Sequence, residues 1–214
     1  MRVCLASTSP ARLMLLRQAG IEPETRAPDV DEEAVIAEIE AAQGPLAPAD
    51  HVLLLARRKA ADVAATVGTR HPRFDGIVIG GDSMFEFDGE VLGKPYTAAA
   101  ATARWRAMRG RTGVLHSGHS VVRLSPGAPP VEAHAVAEAS VSFSSDVTDA
   151  EIAAYVATGE PLHVAGAFTI DSLGGAFIQR IEGEPSTVVG MSLSTVRRLA
   201  GEVGVAWTDL WNRV

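Results

Sequence analysis

A run of hydroxyl side chains ends the first apolar segment of the chain. Residues 7–12 read STSPAR, in which Ser9 and Pro10 fit the N-cap and the first position of a helix. A helix N-terminus presents unpaired N–H groups and the positive end of the helix dipole, so it binds phosphate readily. Ser7 and Ser9 add hydroxyl donors, and Arg12 adds a guanidinium that matches phosphate oxygens. The segment is a candidate phosphate site, although taken alone it favours the simpler interpretation of a helix cap followed by a surface arginine.

Carboxylates follow a buried strand in the middle of the chain. Residues 76–81 place the apolar run IVI between glycines, which predicts a buried strand that ends at Asp82 and Ser83. Ligands of α/β proteins bind at the carboxyl ends of such strands, where Asp82 could hold a divalent metal or activate water. The alternative is an aspartate that caps the next turn. Asp31 and Glu32 supply further carboxylates, or simply form a solvated acidic face.

Lysine is rare in the chain. Of the 19 basic residues, Lys59 and Lys94 are lysines and the other 17 are arginines. If arginine has replaced lysine generally, these two positions are sites where a compact ammonium is required instead of a planar guanidinium. A chance distribution in a small sample explains the count equally well.

Other chemistries lack their motifs. The sequence has no GxxxxGK[ST], GxGxxG, HExxH or GxSxG pattern, which argues against P-loop ATPases, dehydrogenases, zinc proteases and esterases. His116 and His119 would point to opposite faces of a strand, which favours structural roles over a metal site. The single cysteine, Cys4, excludes a disulfide framework and indicates core packing. The glycines around residues 158–161 indicate turns.

Composition limits the partners. The chain has 214 residues, of which 47% are hydrophobic, and a net charge of −7. This is enough to bury a core, and we expect a single domain of residues 1–214. An acidic chain without a basic stripe argues against nucleic acid polymers as partners. Because no apolar stretch approaches the length of a membrane span or a signal peptide, we expect no membrane contact and a cytoplasmic location.

Helical and extended patterns alternate along the chain, which predicts an α/β fold with several antiparallel strands in its middle. The predicted helices begin at Pro10, Glu33, Pro48, Thr97, Asp149 (after a capping box at Thr148) and near residue 192. The predicted strands are 3–6, 76–81, 85–87, 91–92, 112–124, 131–143, 167–170 and 176–181, with a hairpin turn at residues 88–89.

Four ordered segments resemble the Maf family of nucleotide pyrophosphatases, also known as septum-formation inhibitors. LASTSPARLMLLRQAGI is similar to the family opening LASxSPRRxxLLxxxGI, and GGDSMFEFDGEVLGKP to the block DTVVxxxGxILGKP. YVATGEPLHVAGAFTIDSLGGAFIQRIEG is similar to YxxTGEPxDKAGxYxIQGxGAxxIxxIxG, and STVVGMSLSTV to NVVGLPLxxV. The blocks occur in family order and span nearly the whole chain.

The resemblance implies metal-dependent cleavage of nucleoside triphosphates between the α and β phosphates, with Mg²⁺ or Mn²⁺ as cofactor. It also implies an elongated, two-lobed α/β fold with a mixed sheet and a central cleft, similar to inosine triphosphate pyrophosphatases. Homodimers are common in the family, so a homodimer is a possible assembly. By position, Asp82 matches the family's proposed catalytic aspartate, and Glu32 with Asp82 would hold the metal. The implied substrate-binding residues are Ser7, Ser9, Arg12, Lys59, Ser83, Lys94 and Asp171.

Several positions depart from the family pattern. Ala11 and Ser83 replace an arginine and a threonine, His163-Val164 replaces an aspartate-lysine pair, and Asp171 replaces a glutamine. In the family, the first two sites and the last help to distinguish bases. An ionised aspartate only accepts hydrogen bonds, so Asp171 would favour a base edge with N–H groups, such as that of uracil, thymine or guanine.

Two other functions compete with this one. The first is a non-catalytic, nucleotide-binding regulator of cell division, because the family was named for a septation phenotype. The second is a phosphohydrolase that acts on sugar phosphates or nucleotide conjugates. Pyrophosphate release from triphosphates distinguishes both from the main hypothesis.

Overall fold

A computed structural model describes residues 1–213 and has a mixed α/β fold. The strands are β1 (Arg2–Ala6), β2 (Glu24–Thr25), β3 (Gly76–Phe87), β4 (Glu90–Leu92), β5 (Thr112–Leu124), β6 (Val131–Phe143) and β7 (Ile178–Gly183). They are hydrogen-bonded in the order β2-β1-β3-β5-β6-β7, with β4 paired to β3 outside this path. β1 is parallel to β2 and β3, whereas the β3–β4 and β6–β7 pairs are antiparallel. The predicted α/β class is confirmed.

Most helices begin where local capping chemistry predicts. The α-helices are α1 (Pro10–Gln18), α2 (Glu32–Gln43), α3 (Pro48–Arg70), α4 (Ala98–Met108), α5 (Asp149–Ala157), α6 (Pro185–Val189) and α7 (Leu193–Glu202). The N-cap side chains that accept a backbone N–H are Ser9, Asp31, Thr97, Thr148 and Ser192. Thr148 also takes part in the predicted capping box. Because each cap acts within one turn, these boundaries can be predicted from the sequence.

The strand that carries Asp82 is longer than predicted. β3 continues from residue 76 to residue 87, so the prediction that it ends at Asp82 and Ser83 is wrong. Parallel pairing with β1 stops where Ala6 meets Gly80, but antiparallel pairing with β4 begins again at Phe85. β5, which is hydrogen-bonded to the other side of β3, continues the sheet across the gap between these two partners. Asp82 therefore lies inside a strand, just beyond the last residue of β3 that is paired with β1.

Residues 167–170 do not form the predicted strand. Gly166 and Ala167 have φ angles of 73° and 64°, which turn the chain twice in succession. Two consecutive left-handed residues are incompatible with extended backbone. The next predicted strand does form, as β7, but it begins at residue 178 rather than 176.

The chain divides into two compact units, and a single domain of residues 1–214 stays a prediction. The first unit comprises residues 1–82, 117–137 and 190–213. In its core, α3 packs against β1, β3 and β5 through small and β-branched side chains. The buried cluster contains Cys4, Ala6, Ala60, Val63, Ala64, Val67, Phe74, Val78, Val122 and Leu124.

The second unit comprises residues 83–116 and 138–189, and its core is aromatic. Trp105, on α4, is fully buried and its indole N–H donates to the Ala167 carbonyl at 2.7 Å. Edge-to-face contacts surround it, including those with Phe143 and Tyr155 at centroid distances of 5.5 and 5.3 Å. Such pairs add stability beyond the apolar area that they bury.

The lone cysteine is part of the first core. Cys4 lies in β1 with no exposed surface, and burial raises the pKa of its thiol to about 11. The nearby Arg26 guanidinium opposes the shift but does not overcome it. The predicted packing role of Cys4 is therefore confirmed. Among residues 1–213, no helix is both long and apolar enough to cross a bilayer.

Candidate active site

The hydroxyl-rich loop forms a small cavity at the start of α1. Ser9 is the N-cap, and its Oγ accepts the Arg12 N–H at 3.4 Å, while Ser7 Oγ accepts the Ser9 N–H at 3.1 Å. A cavity of about 200 Å³ is lined by this loop, by the start of α1 and by residues at and after the end of β2. Its lining residues are Ser7, Thr8, Ser9, Pro10, Leu13, Thr25 and Ala27. The positive end of the α1 dipole and the hydroxyl groups of Ser7 and Ser9 therefore lie at this cavity, which suits a phosphate.

The Arg12 side chain is held by the backbone and the loop. Its Nε donates to the Gly190 carbonyl at 2.8 Å, and one Nη donates to Ser7 Oγ at 3.3 Å. Burial lowers the pKa of Arg12, while the negative charges of Asp82 and Glu32 oppose that shift. Arg12 therefore lies in the electrostatic field of both predicted metal-binding carboxylates.

Lys59 connects those two carboxylates. Its Nζ lies 2.7 Å from Asp82 Oδ1 and 2.9 Å from Glu32 Oε1. The Lys59 side chain is 9% exposed and that of Asp82 is 15% exposed, whereas Glu32 is half exposed. A buried ammonium is stable only when paired, and here two carboxylates share that role. Three residues from α2, α3 and β3 thus meet at one point.

Two glycines allow α3 to approach the sheet closely enough for this contact. A Cβ at Gly80 would lie 2.3 Å from the Ala56 carbonyl oxygen, and one at Gly118 would lie 2.2 Å from that of Val52. Any side chain at either position would push α3 away from the sheet. Gly80 and Gly118 therefore act through packing: they let α3, which carries Lys59, lie close to the strand that carries Asp82.

The carboxylate pair suits a hard divalent cation. Asp82 and Glu32 each place an oxygen within 3 Å of Lys59 Nζ, so the two carboxylates lie close together beside that ammonium. Carboxylate oxygens are the ligands that Mg²⁺ and Mn²⁺ prefer. Within residues 1–213, no group of three or more histidine, cysteine or acidic side chains is arranged to enclose a metal. A cation held by these two carboxylates alone would take its other ligands from water and from phosphates, which is how Mg²⁺ is usually bound.

Three predicted substrate residues belong to the second unit. Ser83 follows Asp82 in β3 and is partly buried. Lys94 lies in the loop after β4, where its side chain is exposed and forms no ion pair with any residue in 1–213. Asp171 is exposed in a segment that is neither helix nor strand. Their roles toward a substrate stay predictions.

Glu160 has a larger role than the sequence indicates. Its carboxylate accepts five hydrogen bonds, from Tyr155 Oη, Thr169 Oγ1, Ser172 Oγ, Leu173 N and Gly174 N. Burial alone would raise the pKa of Glu160, but these donors lower it to about 2. The residue therefore anchors the turn that carries Asp171. The sequence placed Glu160 in the TGEP part of a family block but indicated only a turn there, and gave no sign of these donors.

His119 was also missed as a residue near the site. The ring is fully buried in β5, and its Nε2 accepts the Ser192 N–H at 2.9 Å. His116, three residues earlier, lies between Glu86 and Glu138 instead, at 2.9 and 3.0 Å. The prediction of structural roles for the pair agrees with these contacts, but only His119 faces the segment that holds Arg12.

Comparisons with known proteins agree with the motifs. A family model described as Maf-like protein matches residues 2–203. A relative from Leifsonia xyli subsp. xyli, named nucleoside triphosphate pyrophosphatase, is 57% identical over 100% of this chain and 98% of its own length. One of the same name from Rhodococcus jostii is 52% identical over 97% and 94%.

Among solved structures, the Ham1 protein of Staphylococcus aureus matches with a TM-score of 0.32 and 10% identity, over 68% of this chain and 73% of its own. So distant a likeness supports no inference. The family model, in contrast, covers nearly the whole chain, and the relatives align from end to end. The chain therefore belongs to the Maf-like protein family.

Proposed function

We propose that the protein hydrolyses nucleoside triphosphates between the α and β phosphates and releases a monophosphate and pyrophosphate. The observation that carries the proposal is Lys59, whose buried ammonium lies between Asp82 and Glu32, the two carboxylates that also act on the charge of Arg12. The names of relatives more than 50% identical over the full chain support the same reaction.

Electrostatic positioning would supply most of the catalysis. Attack on a triphosphate brings a nucleophile toward a polyanion, so the site must neutralise charge that develops on the phosphate oxygens. The N-terminus of α1, the hydroxyls of Ser7 and Ser9, and the Arg12 guanidinium form a set of donors for those oxygens. Lys59 adds a second cation that the two carboxylates hold in place.

Asp82 is the proposed base. It would orient the attacking water and accept its proton as the water oxygen bonds to the α phosphorus and the bond to the bridging oxygen breaks. Glu32 and Asp82 would hold a divalent cation, which when bound lowers the pKa of water and neutralises phosphate charge. The dependence on Mg²⁺ or Mn²⁺ is part of the proposal.

The family resemblance adds further proposals. Ser83 and Lys94 would contact phosphates, and Asp171 would accept N–H groups of the base. A homodimer and a cytoplasmic location are proposed on the same basis. Sedimentation of the purified protein would test the dimer, and cell fractionation would test the location.

Pyrophosphate release across a panel of ordinary and modified nucleoside triphosphates, with Mg²⁺ or Mn²⁺, tests the reaction. Asp82→Asn keeps the shape of the side chain but removes the base, and we expect it to lower turnover by about 10²–10⁴-fold. Asp146→Asn, at an exposed position outside the site, is the matched control and should retain full activity.

The outcomes separate the competing functions. Wild-type turnover in Asp82→Asn would remove Asp82 from the reaction. Nucleotide binding without pyrophosphate release from any triphosphate would favour the regulator. Release of orthophosphate from sugar phosphates or nucleotide conjugates would favour the alternative phosphohydrolase.

A further inference from the structure

The segment that holds Arg12 is itself held by a buried histidine. Gly190 accepts the Arg12 Nε–H through its carbonyl, and Ser192, two residues later, donates its N–H to His119 Nε2. Gly190 has a φ of 122°, and Ser192 is fully buried as the N-cap of α7. The short turn of residues 190–192 is therefore clamped between a β5 side chain and the guanidinium.

The contact requires a neutral imidazole. A nitrogen that accepts a hydrogen bond carries no proton, so the proton of His119 is on Nδ1. The backbone carbonyls of Ser117 and Ala135 also act on the ring. Burial and the positive charge of Arg12 lower the pKa of His119 to about 4, and those carbonyls only partly oppose the shift. At neutral pH, His119 is thus available as an acceptor.

The clamp fixes the plane of the Arg12 guanidinium. With Nε bound to the Gly190 carbonyl, the position of that carbonyl determines where the remaining N–H groups point. A change in the 190–192 turn would rotate those donors relative to the cavity at the start of α1. Arginine binds phosphate through a planar, directional fork, so such a rotation weakens binding more than it alters the local charge.

We propose that His119 is a positioning residue for phosphate binding, acting through the Gly190–Ser192 turn on Arg12. The inference rests on the proposed function, because it assigns Arg12 to the phosphates of the substrate. His119 itself touches neither the substrate nor the metal.

The test compares three variants in steady-state kinetics and in binding of inorganic pyrophosphate by calorimetry. His119→Leu removes the acceptor, whereas His119→Gln replaces it with an amide oxygen. His116→Gln is the matched control, since His116 lies in the same strand but contacts Glu86 and Glu138. Melting temperatures of all variants report any loss of folding.

We expect His119→Leu to raise KM for the triphosphate and the Kd of pyrophosphate about tenfold, the effect of one lost charge-assisted hydrogen bond, with a smaller change in kcat. His119→Gln should recover most of the affinity, and His116→Gln should match wild type. Unchanged KM and Kd in His119→Leu would overturn the inference. An equal loss in Leu and Gln variants, together with lower kcat and melting temperature, would show a packing role and also overturn it.

Binding separates this inference from the proposed function. A wild-type protein that binds pyrophosphate but releases none from any triphosphate would refute the hydrolase, and a weaker Kd in His119→Leu would still support the clamp. A wild-type protein that does not bind pyrophosphate at all would refute both.

Discussion

Glu160 offers a quantitative test of the hydrogen-bond network around the Asp171 turn. Its pKa is lowered from 4.5 to about 2 by donors that favour the ionised form. A folded-state pKa below the unfolded one contributes stability that is present above the unfolded pKa and is lost as the pH falls toward the folded one. The stabilisation is therefore complete near neutral pH and declines between pH 4.5 and pH 2.

The size of the effect follows from that shift. About 2.5 pKa units correspond to roughly 3 kcal/mol, an upper limit. Because the carboxylate is partly exposed, solvent screening reduces the contribution, and we expect about 2 kcal/mol. The linkage relation places more than half of the loss above pH 3.

Urea unfolding of wild type and Glu160→Gln between pH 7 and pH 3 measures this contribution. In Glu160→Gln the amide N–H₂ group faces hydrogen-bond donors of the turn, which lowers the free energy of unfolding by an amount that does not depend on pH. The diagnostic quantity is thus the pH dependence of the difference in unfolding free energy. We expect the difference to shrink by about 1 kcal/mol or more toward pH 3.

Glu184→Gln is the matched control. Glu184 also accepts hydrogen bonds from nearby hydroxyl and backbone groups, at Ser186 and Thr187, but it does not contact the Asp171 turn. A difference for Glu160→Gln that stays constant across the pH range would refute the reasoning, since it would mean that the five donors do not favour the charged form.

Three further perturbations have defined outcomes. His119 has a pKa lowered to about 4, so the unfolded chain takes up its proton first, and the free energy of unfolding of wild type should fall between pH 6.5 and pH 4. In urea unfolding, His119→Gln should show a smaller change of that free energy over the same pH range. Gly80→Ala should cost about 1–3 kcal/mol and lower activity because α3 must move, whereas Gly68→Ala, in open space on the same helix, should stabilise by about 0.5–1 kcal/mol in thermal melts. Lys59→Met should cost about 3 kcal/mol by leaving Asp82 unpaired, and adding Asp82→Asn should restore part of that loss; additive effects would show that the pair is not coupled.

Local chemistry explains what could be predicted about the fold. Ser9, Thr97 and Thr148 act within one turn of their own positions, so the starts of α1, α4 and α5 follow from the sequence. The limits of β5 and β6 were also predicted correctly, because turn residues flank two long apolar patterns.

The strand predictions are wrong where contacts with distant segments determine the backbone conformation. β3 continues past Asp82 because β5 is hydrogen-bonded to its other side and β4 joins it at Phe85 after β1 stops, and none of these pairings is visible from the residues around Asp82. Residues 167–170 have the apolar pattern of a strand, but positive φ angles at Gly166 and Ala167 turn the chain. A strand prediction from pattern alone cannot include such tertiary effects.

The site shows the same division. Residue types and the family motifs identified Arg12, Glu32, Lys59 and Asp82, and the structure brings these four together in the first unit. What could not be predicted is that Lys59 lies between the two carboxylates, because this depends on how closely α3 approaches the sheet. The sequence indicated a structural role for His119 but not its contact with Ser192, which lies 73 residues away in the chain.

Because Cys4 is buried, its reaction with thiol reagents can report local unfolding of the strand that contains it. Thiol reagents react with the thiolate, which a buried group with a pKa near 11 scarcely forms, whereas an unfolded cysteine ionises near pH 8.5. Since Cys4 is the only cysteine of the chain and lies in β1, between β2 and β3, each labelling event marks one exposure of that strand. The rate of modification by a chromogenic disulfide thus follows local unfolding of the parallel strands without any introduced probe.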